Sequence, residues 1–154
     1  MCKNEMAGIT KSEHEFLIEL ICDIVNDSDD DQFYENPECT NNLLKELDRL
    51  DSKYGEMPML ISTRADFTDD VKIQIKLYKK AIQLALKSGD ISTLVIAAES
   101  LVEIYVSDYP NSREALEWFD KLKIYNNGYG DKYIISTYPE LKTKINRMGI
   151  KVVK

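Results

Sequence analysis

The chain has 154 residues, of which 44% are hydrophobic and 31% charged, which are the size and composition of one globular domain spanning residues 1–154. A net charge of −7 disfavours nucleic acid as a ligand. No stretch approaches the length of a membrane span, and the leading MCKNEMAGITKSE lacks the apolar run of a secretory signal, so a cytoplasmic protein that does not engage a membrane is expected. In chain order, Thr10-Lys11-Ser12-Glu13 reads as a capping box opening a helix to about Val25, with Phe16, Leu17, Leu20, Ile21 and Ile24 on its apolar face. An acidic loop follows. Asn36 then caps a second helix whose first turn holds Pro37 and whose core residues are Leu43, Leu44, Leu47 and Leu50, with Gly55 as its stop. Pro58 opens a short third helix.

After the break at TDD, Thr68 or Asp69 is the expected cap of a fourth helix running from about Asp70 to Ser88, before Gly89. Asp90 caps a fifth, to about Ser107. Asn111 or Ser112 caps a sixth, to about Tyr125. The stretch NNGYGDKYIIS reads as a Gly/Asn loop, with Ser136 or Thr137 and Pro139 starting a last helix that ends at Gly149. No strand alternation of useful length occurs elsewhere, so the expected fold is all-α, with six to seven helices in stacked antiparallel hairpins.

Chemistry-bearing patterns are few. Cys2, Cys22 and Cys39 form no C-x-x-C pair, which argues against a disulfide framework and a zinc site, and His14 is the only histidine. Nucleotide-binding, zinc-hydrolase and nucleophile-elbow motifs are absent, so no enzyme and no cofactor is expected. Asp27, Asp29, Asp31, Phe33, Glu35 and Glu38 fall at positions 1, 3, 5, 7, 9 and 12 of a calcium-loop template, but Gln32 occupies the turn position that needs Gly, so no metal is assigned. A calcium-dependent module remains an alternative.

Charge is unevenly distributed. Residues 1–70 hold 6 Lys+Arg against 18 Asp+Glu, a balance of −12, whereas residues 71–154 hold 14 against 9, a balance of +5. The acids Asp27, Asp29, Asp30, Asp31 and Glu35 form a candidate surface for a basic protein. In the fifth helix, Glu99 and Glu103 lie at i and i+4 and share one face, a second candidate surface. Tyr125, Tyr129 and Tyr133, in YNNGYGDKYIISTY, supply rigid amphipathic contact area.

Two resemblances add to this reading. Over roughly residues 58–126 the chain resembles the tetratricopeptide repeat, a helix pair of about 34 residues. Ala98, Leu101 and Tyr105 match first-helix positions, Ala115 and Phe119 the small and aromatic positions of the second helix, and Ala65, Phe67, Tyr78 and Ala81 the preceding unit. Val102 and Gln74 depart from the pattern, and Tyr78 and Phe119 are 41 residues apart. LISTRADFTDD followed by KIQIKLYKKAIQLALKSGD also resembles small helical immunity proteins of bacterial polymorphic and contact-dependent toxin systems. That resemblance implies a partner, a cognate toxin domain such as a basic nuclease, neutralised by direct binding. A repeat-like adaptor for a peptide is the alternative.

Overall fold

The computed structural model describes residues 9–27 and 37–149. Among them are seven α-helices: α1 (Lys11–Asp27), α2 (Pro37–Tyr54), α3 (Pro58–Asp66), α4 (Val71–Ser88), α5 (Ile91–Glu103), α6 (Ser112–Tyr129) and α7 (Lys132–Arg147). The fold is all-α.

Local chemistry sets most of the boundaries. The capping box is complete: the Thr10 N–H donates to Glu13 Oε1 at 3.1 Å, and the Glu13 N–H donates to Thr10 Oγ1 at 3.2 Å. Pro58 sits in the first turn of α3, where its missing N–H is no loss. The cap of α4 is Asp70, one residue later than expected. Its carboxylate accepts from the backbone of Lys72 and Ile73, and Asp69 and Thr68 lie before it. Gly89, at φ 77°, closes α4 in the left-handed conformation that disfavours a side chain. Asp90 then starts α5 by accepting from the Thr93 N–H and hydroxyl.

Helix α5 does not run on regularly to Ser107. A π-turn at Ile104–Asp108 widens its end, with Tyr109 N–H bonded to Ile104 O at 2.9 Å, and the adjacent Ile104 and Tyr105 are both buried.

Successive helices pack against one another, and α5 additionally touches α3 on one side and α7 on the other. Helix α5 therefore sits among α3, α4, α6 and α7. One apolar cluster fills α3 to α7 and includes Ala65, Tyr78, Ala98, Leu101, Val102, Tyr105, Ala115 and Phe119. A second cluster joins α1 and α2 to the start of α3 through Leu17, Ile24, Leu43, Leu47, Leu50 and Leu60. Phe16 departs from expectation: it is 46% exposed, because α1 packs chiefly on α2 and covers only one narrow face.

The largest difference lies at residues 126–137. The Gly/Asn segment is not a loop but the last turn of α6, a tight corner and the first turns of α7. Asn126, buried to 1% exposure, closes that corner: its Oδ1 accepts from the Asp131 N–H at 2.9 Å, and its Nδ2 donates to Asp131 O and the Tyr138 hydroxyl. Gly130 at φ 72° ends α6, and Asp131 caps α7 by accepting from the Ile134 N–H at 3.1 Å. Ser136, Thr137 and Pro139 are therefore inside α7 and do not start it. Just before the proline, the Ser136 and Thr137 hydroxyls donate to the carbonyls of Tyr133 and Ile134.

Candidate functional site

Helix α5 is buried around most of its circumference. Ile96, Glu99, Ser100 and Glu103, at i, i+3, i+4 and i+7, form its main accessible stripe. Glu99 and Glu103 are both half-buried and share this face. Helix α7 brings two further charges to it. Lys144 Nζ lies 3.4 Å from Glu103 Oε2 and 3.2 Å from Glu140 Oε1, so one lysine bridges two carboxylates. The Glu140 carboxylate, with Glu103 adding to it, holds the Lys144 ammonium above its usual range.

Glu99 is in the opposite condition. It forms no hydrogen bond or ion pair among the described residues, and burial pushes its carboxyl pKa up, with the negative fields of Glu103 and Asp131 acting in the same direction. Asp131, the α7 cap, is therefore a third acid on this surface. The sequence reading missed it because it placed the helix start at Ser136 or Thr137. The signal was present in Gly130-Asp131, a glycine stop followed at once by a capping residue. What the arrangement can do chemically is receive a cation. Glu99 feels the negative fields of two acids, and Lys144 is engaged by Glu103 and Glu140.

The tyrosines do not form one surface. Tyr133 is 72% exposed on the first turn of α7, and Tyr129, the last residue of α6, is exposed as well. Both project from the corner that carries Asp131. Tyr138 instead packs edge-on against Phe119, with ring centroids 5.8 Å apart. Tyr125 is half-buried and points elsewhere: it lines a cleft between α4 and α6, and burial pushes its hydroxyl pKa up.

Of the acidic segment, Asp27 ends α1, with its side chain outside the described residues. Asp29, Asp30, Asp31 and Glu35 lie outside the described residues altogether. Among the described residues, no group of three or more His, Cys, Asp or Glu is arranged to hold a metal ion, and no helix is long and apolar enough to cross a membrane. Comparison with protein-family models, with curated proteins and with solved structures returns no match.

Proposed function

We propose that this chain is a non-catalytic protein-binding inhibitor, an immunity protein that neutralises a cognate bacterial toxin domain, with a basic nuclease domain as the best fit. The observation that carries the reading is Glu99: a half-buried carboxylate with no ion pair among the described residues, in the negative fields of Glu103 and Asp131, on an accessible stripe of α5. An arginine or lysine from a partner relieves the repulsion among these acids and gains a charge-assisted hydrogen bond. Tyr129 and Tyr133, on the same corner as Asp131, are suited to anchor such a partner because exposed tyrosines bury large area at little entropic cost. Nuclease domains present basic substrate clefts, and an acidic protein is drawn to them from a distance.

The test is co-expression with the product of the adjacent gene. That product should arrest growth by itself, and this chain should restore growth where an unrelated immunity protein does not. A harmless neighbour sinks the immunity reading and leaves an adaptor for a basic peptide in its place.

A further inference from the structure

Helix α1 carries more apolar surface than its close neighbour covers. It packs chiefly on α2, with Leu17 and Ile24 buried in the shared cluster. Its apolar arc is wider than that contact and reaches solvent on two flanks. On one flank, Phe16 and Leu20 are followed within a turn by the exposed Asp23. On the other, Ile18, Ile21 and Val25 recur at i, i+3 and i+7, with Ile18 45% and Val25 48% exposed and Ile21 half-buried. Lys11 and His14 continue this line, seven and four residues before Ile18, so the whole line has the 3.5-residue spacing of a coiled-coil seam. Such a seam fits another helix. We propose that it pairs with α1 of a second copy of this chain, the two helices running antiparallel about a two-fold axis.

Charge favours a second copy and sets its direction. Around the first turn of α1 the acids are matched: Glu13 by Arg49 and Lys53, each at 3.1 Å, and Glu15 by Lys11 at 3.9 Å. The other end is not. Asp23 forms no ion pair among the described residues, the helix closes on Asp27, and its last turn holds no basic residue. The negative end of the helix dipole lies there too. A parallel pair sets two such ends side by side. An antiparallel pair sets each beside Lys11 and the positive dipole end of the other copy, so the chain supplies its own complement. Glu15, Glu19 and Asp23, all exposed on α1, oppose an anionic lipid surface, the other usual host of an amphipathic helix. Three partly exposed side chains fall well short of the about 800 Å² per partner of a standard interface, so the dimer is reversible and follows mass action.

Sedimentation equilibrium of the full chain, from about 5 to about 500 µM, tests the pairing, under reducing conditions so that the exposed Cys22 cannot link copies. The mean mass should rise with concentration from monomer toward dimer. Ile18→Lys and Val25→Lys each put a charge at an already exposed position. The far-UV circular dichroism should therefore stay unchanged while the dimer dissociation constant rises about tenfold or more. Lys11→Glu should weaken the dimer as well, because it sets an acid opposite the acidic end of the other copy. Tyr133→Ala, on the α6–α7 corner, should leave the dimer intact. The proposal is overturned by a monomer at every concentration or by a mass that climbs past the dimer. A dimer indifferent to Ile18→Lys and Val25→Lys, one that Lys11→Glu leaves unchanged or tightens, or one lost in Tyr133→Ala overturns it equally. So does a monomer that binds phosphatidylcholine vesicles through Ile18. None of these outcomes bears on Glu99.

Discussion

A half-buried carboxylate without a facing cation is less stable than one in water, and Glu99 is in that position. Its folded-state pKa is raised, so the folded protein holds the proton more tightly than the unfolded chain does. Stability is therefore lost as pH rises through the window between the ordinary glutamate range and the raised value, and neutral pH carries the penalty. Glu99→Gln should raise the melting temperature at pH 7, with the gain fading below about pH 4, where the carboxyl is protonated in both states. The same substitution should weaken partner binding, so calorimetry and an affinity measurement on one variant should move in opposite directions. A lower melting temperature at pH 7 would mean that Glu99 has a stabilising contact in its own chain. Tyr133→Ala should leave stability unchanged and cost about 2 kcal/mol or more of partner affinity, appearing as faster dissociation.

At the scale of elements, two devices join helices. The first is Glu13, which accepts from the Tyr54 hydroxyl, the Thr10 backbone, Lys53 at 3.1 Å and Arg49 at 3.1 Å, and so clips α1 to α2. The Tyr54 hydroxyl, followed by Thr10, Lys53 and Arg49, holds the Glu13 carboxyl well below the usual carboxylate range. A depressed folded pKa contributes stability that is complete above the unfolded value and is lost as pH falls below about 4. Hydrogen exchange at acid pH should therefore show α1 loosening before α4 to α6, and Glu13→Gln should remove that pH dependence. Uniform loosening of all helices would contradict it. The second device is Asn126. Asn126→Ala leaves the Asp131 N–H without its partner at the α6–α7 corner and should cost about 1–3 kcal/mol in urea denaturation. Because that corner positions Asp131, whose field reaches Glu99, partner affinity should fall with it.

For the whole molecule, the core between α3 and α7 is the main source of cohesion. Phe119 is buried at its centre, so Phe119→Ala should cost about 3–5 kcal/mol by chemical denaturation. Charge acts at the same scale in a different way. On the proposed function, the −12 balance of residues 1–70 and the acids of the α5 stripe would draw in a basic partner, so association should slow markedly as salt rises while dissociation changes little. Salt-independent association would leave shape alone to account for binding.

The helices themselves were legible because their signals are local. A capping box at Thr10, a proline at Pro58, a left-handed glycine at Gly89 and the aspartate at Asp90 each act within one turn, and leucine and alanine spacing marked the buried faces of α2, α4 and α5. The pairing of Glu99 with Glu103 followed from the same periodicity. Asn, Gly and Pro around the α6–α7 corner read as a loop because their local preferences favour turns. The structure reads otherwise: a buried Asn126 supplies hydrogen bonds to residues up to twelve positions away, and Asp131 caps α7 so that Pro139 falls inside that helix. The field of Asp131 at Glu99, the pairing of Lys144 with Glu103 and the diversion of Tyr125 into a cleft with Trp118 depend on how distant helices stack. Each requires one helix face to meet another, and a linear pattern of residues carries the faces but not their meeting.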